Sequence, residues 1–159
     1  MARRGAPRAR KVELDPIYKD RMVTKLIGRA MKDGKKSVIQ KEVYKGFEII
    51  KEKTKEDPMV VFAQALENIK PTMEVRARRI GGAAYQVPMQ VRGVRRESLA
   101  IRWLVENSRK RSNSEFRTYA EKLAAEIMDA AKGEGAAVKK KADMERSAEA
   151  NKAFSHFKW

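Results

Sequence analysis

The chain has 159 residues, with 37 Lys or Arg against 21 Asp or Glu, for a formal net charge of +16. It contains no cysteine, which excludes a disulfide framework, a thiol nucleophile and a cysteine metal site, and no run of about 18 apolar residues is present to span a membrane. The hydrophobic share of 42% suffices for one core, so we expect a soluble, intracellular, strongly cationic domain with a polyanionic partner.

The charge is uneven. Residues 1–12 hold five basic groups and no acid, and residues 70–96 hold seven basic groups with Glu74 as the single acid. A surface tuned only for solubility mixes its signs; concentration into two segments is the pattern of a binding footprint.

Residues 1–14 read as a basic extended arm, with Arg3, Arg4, Arg8, Arg10 and Lys11 among small residues and Pro7. Met1 to Pro7 has no apolar segment behind its arginines, unlike a secretory signal. Residues 15–153 read as a helical domain, and 154–159 as a tail. Asp15-Pro16 is expected to open the first helix, whose buried stripe is Val23, Leu26, Ile27, Ala30 and Met31, with Asp33-Gly34 closing it. Its other side carries Arg21, Lys25, Arg29 and Lys32. Ser37 with Gln40 fits a capping box for a second helix that buries Ile39, Val43, Phe47 and Ile50. Asp57-Pro58 starts a third, burying Phe62, Ala65, Leu66 and Ile69, and Pro71 stops it.

Residues 73–91 switch to period two around Gly81-Gly82, the mark of a β-hairpin. A two-residue turn would pair Arg76 with Val87 and Val75 with Pro88, mixing polar and apolar residues on both faces. Side-chain alternation instead favours a three-residue loop, Gly81-Gly82-Ala83, pairing Ala77 with Val87, Val75 with Met89 and Arg78 with Gln86. A fourth helix from about Arg95 to Arg109 buries Leu99, Ala100, Trp103 and Leu104. Ser112 with Glu115 is a second capping-box candidate, ahead of a fifth helix with Phe116, Tyr119, Ala120, Leu123, Ala124, Ile127 and Met128. A sixth helix, roughly 137–153, is poor in large apolar residues and should lie peripherally. The expected fold is mainly α, a single-domain bundle of about six helices with one protruding two-stranded β-hairpin between the third and fourth.

Catalysis lacks candidates. His156 is the only histidine and has no carboxylate cluster near it in sequence. The Gly28 to Gly34-Lys35 stretch has the wrong spacing for a phosphate loop, and Lys36 stands where a hydroxyl residue is required. No metal site and no cofactor is expected. Four cationic elements can grip phosphates: the arm, the Lys35-Lys36 turn, the hairpin with Arg76, Arg78 and Arg79, and Arg92, Arg95 and Arg96 at the start of the fourth helix. The glycine tip lets backbone approach a nucleic acid closely. Tyr85 and Trp103 lie in apolar stripes, which favours packing over base stacking. Charge spread over arm, turn, hairpin and helix suits folded RNA better than one DNA groove.

The run Arg76-Ala77-Arg78-Arg79-Ile80-Gly81-Gly82-Ala83-Ala84-Tyr85-Gln86-Val87-Pro88 closely resembles the hairpin signature of the bacterial-type small-ribosomal-subunit protein seven family. Asp33-Gly34-Lys35-Lys36, Leu99-Ala100-Ile101-Arg102-Trp103-Leu104 and the block from Asp129 through Phe154 match it in the same order. Gly93 departs from the family, where proline is common. The resemblance implies a non-enzymatic, cytoplasmic ribosomal protein: a primary 16S rRNA binder that nucleates assembly of the small-subunit head and lies at the subunit interface. It implies rRNA contacts by Arg3, Arg4, Arg8, Arg10, Lys11, Lys35, Lys36, Arg76, Arg78, Arg92, Arg95, Arg96, Arg102, Arg109, Lys110 and Arg111. The tip, Arg79, Ile80, Gly81, Gly82 and Ala83, would reach exit-site tRNA and mRNA. Small-subunit proteins nine and eleven would be neighbours, with no membrane and no homo-oligomer required. The rival readings are a free nucleic-acid chaperone without sequence choice and, further off, an RNA-acting enzyme.

Overall fold

The computed structural model describes residues 12–157; Arg3, Arg4, Arg8, Arg10 and Lys11 of the expected arm lie outside the described residues. Six α-helices and one hairpin follow in the order α1 (Arg21–Ala30), α2 (Lys36–Thr54), α3 (Pro58–Ile69), β1 (Met73–Ile80), β2 (Ala83–Gln90), α4 (Gly93–Lys110), α5 (Tyr119–Ala131) and α6 (Ala136–Ala150). A 3-10 helix, Lys152–Phe157, comes last. The mainly helical class and the hairpin between the third and fourth helices are as expected. Among the described residues no helix is long and apolar enough to cross a membrane.

The core is built where the helical stripes meet. Phe47 of α2 is fully buried, with Tyr18 edge-on at 5.0 Å between ring centroids and Phe62 of α3 at 5.5 Å. Leu123, Ala124 and Ile127 of α5 join Leu99, Trp103 and Leu104 of α4 in the same buried cluster. Gly46 lets α2 close on α5: a β-carbon there would stand 3.3 Å from the Ala120 carbonyl oxygen.

Helix ends differ from the expectation, and each difference has a partner that explains it. Asp15 does not cap α1. Its carboxylate accepts from the Ile17 and Tyr18 amides at 3.2 and 3.1 Å and from the Tyr44 hydroxyl at 2.9 Å, closing a turn before the helix. Asp20 is the cap, accepting from the Met22 amide. The C-terminal end of α1 comes at Ala30, short of Asp33-Gly34, because the Arg109 guanidinium donates to the Ala30 carbonyl at 2.6 Å and the chain then leaves in extended conformation at Met31. Ser37 lies inside α2 and makes no cap; Gln40, its expected partner, donates to the Tyr44 hydroxyl at 2.7 Å. Asp57 and Pro58 open α3 as expected, with the Met59 amide 2.9 Å from the Asp57 carboxylate. The α5 capping box is Thr118 with Glu121, not Ser112 with Glu115. Phe116 stays in the preceding loop, its ring 5.6 Å from the Arg111 guanidinium carbon.

The hairpin takes the two-residue turn. Arg76 pairs with Val87, Val75 with Pro88, Ala77 with Gln86 and Arg78 with Tyr85, which overturns the three-residue loop. Gly81 and Gly82 both have positive φ, 57° and 89°, the requirement of the tight turn whose twist matches two right-twisted strands. Alternation misleads here because no single face of this ribbon is buried. At its base Glu74 and Val87 are buried on one face and Pro88 on the other. Val75 and Gln86 share a pocket with Met144 and Ser147 of α6, while Tyr85 meets Phe154 and Phe157 of the 3-10 helix at 5.4 and 5.3 Å. The expected sixth helix thus stops earlier, and part of the tail packs. Trp103 is buried as expected.

Phe47→Ala should lower the unfolding free energy by about 3–5 kcal/mol, and Thr118→Ala by about 1 kcal/mol, both read from urea denaturation followed by circular dichroism.

Candidate RNA-binding surface

Arg76 of β1 and Arg95 of α4, 19 positions apart in sequence, converge on one carboxylate. Glu74 is 3% exposed; its Oε1 accepts from Arg76 Nε at 2.6 Å. Arg95 Nε lies 2.8 Å from Glu74 Oε2, and Arg95 Nη2 lies 2.7 Å from the same oxygen. Both arginine side chains remain about half exposed, 49% and 52%, so each guanidinium has an engaged edge and a free edge. Arg92, at the N-terminal end of α4, has its Nε 3.3 Å from Gln90 Oε1. Arg96 turns toward α3, donating to the Pro71 carbonyl at 3.1 Å. Arg78 is half-buried, and Arg79, Gly81, Gly82 and Ala83 are exposed at the tip with Ile80 half-buried.

Helix geometry extends this cluster. Arg95, Arg102 and Arg109 are all exposed on α4 and recur every seven residues, two turns with only about 20° of drift. They form a ridge about 21 Å long, from a rise of about 1.5 Å per residue. Helix α1 runs alongside, with Lys25 and Arg29 lining a groove against Val94, Ser98 and Ile101. One turn beyond Arg102 on α4, Glu106 is reached by Lys140 of α6 at 2.8 Å.

At the far end of the ridge, Lys35 and Arg109 line a cleft of about 430 Å³ with Lys32, Arg117 and Lys122. No acid lines it. Lys36 and Lys110 are exposed. Arg111 is different. Its guanidinium bonds Glu126 at 2.7 Å and also Asp129, and Glu126 in turn accepts from the Ala137 amide at 2.9 Å. That arginine ties the α4–α5 loop to α5 and the start of α6.

Sequence alone does not mark Glu74, Arg117 and Lys122 as site residues. Glu74 carries a usable signal, being the single acid in a strongly basic stretch; Arg117 and Lys122 carry none, because only folding brings the start of α5 and the loop before it to Lys35. The seven-residue spacing on α4 is legible. Among the described residues no group of His, Asp and Glu is arranged to hold a metal ion.

Residues 2–152 match the family described as Ribosomal protein S7p/S5e. The chain belongs to that family. It is 57% identical to the small ribosomal subunit protein uS7 of Carboxydothermus hydrogenoformans over the full length of both chains. Likeness to the uS7 proteins of Caldicellulosiruptor bescii and Thermotoga neapolitana is 56% and 55%, again over the whole of each.

In this family member the seam between α1 and α4 is electrostatic at one end. Lys25 donates to Glu97 at 2.6 Å, with Arg21 at 3.2 Å. The Lys25 hydrogen bond holds the Glu97 carboxyl below its ordinary value of 4.5, outweighing partial burial, with Arg21 adding to the effect. A carboxyl with a depressed folded-state pKa binds fewer protons folded than unfolded, so its stabilisation is present above the unfolded pKa and lost as pH falls through the folded one. Glu97→Gln should therefore cost up to about 1 kcal/mol at neutral pH and flatten the loss of stability below pH 4.5, measured by denaturant titrations across the acid range.

Proposed function

We propose that this protein is a non-catalytic, rRNA-binding constituent of the small ribosomal subunit in the cytoplasmic ribosome. The observation that carries this reading is the meeting of Arg76 and Arg95 on buried Glu74 at the head of the Arg95, Arg102 and Arg109 ridge. Arginines fixed along one edge present forked N–H donors outward, the geometry that matches phosphate oxygens. The full-length likeness to proteins named as small-subunit uS7 supports the same partner.

At finer detail, the protein binds 16S rRNA as a primary binder that nucleates the subunit head. The ridge, Lys35, Lys36, Arg76, Arg78, Arg92, Arg96 and Lys110 lie on rRNA, and residues 1–11 add a further basic contact. Arg111 serves from inside, holding the loop. The hairpin tip, Arg79 to Ala83, lies toward exit-site tRNA and the mRNA path, at the subunit interface, with small-subunit proteins nine and eleven as neighbours.

The triple variant Arg78→Gln, Arg92→Gln and Arg102→Gln should keep its helical circular dichroism while reducing the salt slope of rRNA affinity by about 1 per arginine removed. An unchanged slope in the salt titration places the footprint elsewhere. Removing the paired residues Arg79, Ile80, Ala83 and Ala84 while keeping Gly81-Gly82 shortens the hairpin without shifting its register. Subunits containing that variant should assemble in normal yield and retain exit-site tRNA several-fold less well; failure to assemble would make the tip an rRNA anchor.

A further inference from the structure

The most unusual group on the cationic surface is an anion. Glu74 is the single acid between Lys70 and Arg96, and it is buried, 3% exposed, beneath two half-exposed arginines. For affinity alone a carboxylate here is counterproductive, since it cancels one positive charge at the place where phosphate is to be attracted. For stability alone it is a poor choice too, because desolvating a carboxylate offsets much of the attraction it gains, and an apolar residue of similar volume serves as well. What an apolar residue cannot do is fix the arginines.

Both oxygens of Glu74 are engaged. Oε1 takes Arg76 Nε at 2.6 Å and Oε2 takes Arg95 Nη2 at 2.7 Å. These bonds hold one guanidinium from β1 and one from α4 side by side, against their own repulsion. They also leave most of the five N–H donors on each arginine free. A phosphate arriving at such a pair meets donors already oriented, and the ordering of two long side chains does not have to be repeated at binding.

We propose that Glu74 is a positioning residue for RNA recognition: it acts through Arg76 and Arg95, setting a rigid two-guanidinium clamp that distinguishes a folded phosphate geometry from a generic polyanion. This rests on the rRNA-binding function proposed above. Removing its charge raises the protein's net charge yet weakens specific binding, the opposite of what simple electrostatics dictates.

The test compares the full-length chain and Glu74→Gln on two probes, a transcript of the small-subunit rRNA head domain and polyuridylate. Wild type should prefer the head transcript; equal affinity for the two probes overturns the rRNA-binding reading itself. With that preference present, Glu74→Gln should lose about tenfold on the head transcript while holding or gaining on polyuridylate. Glu74→Asp, which keeps the carboxylate, should recover much of the preference. The decisive arm is a double-mutant cycle: in an Arg76→Gln, Arg95→Gln background the glutamate substitution should have no further effect on the ratio of the two affinities. A ratio unchanged by Glu74→Gln in the wild-type background, or a penalty that persists undiminished without the two arginines, overturns the proposal. Should Glu74→Gln fail to fold by circular dichroism, Glu74→Met, which removes the carboxylate at similar volume, takes its place in the cycle, and the same two results overturn the proposal.

Discussion

Positive charge at this density has to be held together by a few carboxylates, and the structure depends on where they sit. Glu74 joins β1 to α4, Glu97 joins α4 to α1, Glu106 joins α4 to α6, and Glu126 joins the α4–α5 loop to α5 and the start of α6. Each acid ties its own element to at least one other that is distant in sequence. Two of them, Glu74 and Glu126, are nearly inaccessible to water, where Coulomb attraction is least screened. The acids are thus cross-links within a cationic shell, not a compensating surface charge. This leaves the outward edges of Arg76 and Arg95 exposed to solvent.

Helix α4 carries core packing and an exposed cationic ridge on one element. Its core residues, Leu99, Trp103 and Leu104, follow the helical period that faces α5, whereas Arg95, Arg102 and Arg109 follow a seven-residue spacing on an exposed stripe. The core sets the rotation of the helix about its axis, and that rotation sets where the ridge points. Arg109 contributes at both levels, since one of its donors ends α1 at the Ala30 carbonyl. Burial in the core is therefore coupled to the geometry of the charged surface through the backbone of a single helix.

Apolar periodicity makes the helices legible: Val23, Leu26 and Ile27, then Val43, Phe47 and Ile50, then Phe62, Leu66 and Ile69 are all buried where the stripes place them. The caps are less legible, because the side chains at helix ends have competing partners. Asp15 finds Tyr44, Gln40 finds Tyr44, and Arg109 finds Ala30; the first and last of these contacts join separate elements. The hairpin register fails for a related reason. Alternation assumes one wet face, and here α6 and the 3-10 helix approach the ribbon near its base, while the backbone demands of Gly81-Gly82 decide the turn. Of the candidate surface, the residue types are visible in sequence, but the pairing of Arg76 with Arg95 requires the fold.

The outer half of the hairpin stands apart from this packed base. An isolated two-stranded ribbon is marginal in water, and its free edges invite pairing with other chains. Tyr85 contacts the 3-10 helix; beyond it Arg79, Gly81, Gly82, Ala83 and Ala84 are exposed. The charge of Arg79 and, below it, Arg78 opposes edge-to-edge association of two copies, and the two-glycine turn supplies the twist that the strands need. The same arginines are the groups that an anionic polymer would neutralise. The charge that opposes self-association of the ribbon is thus the same charge that a strongly negative neighbour would neutralise.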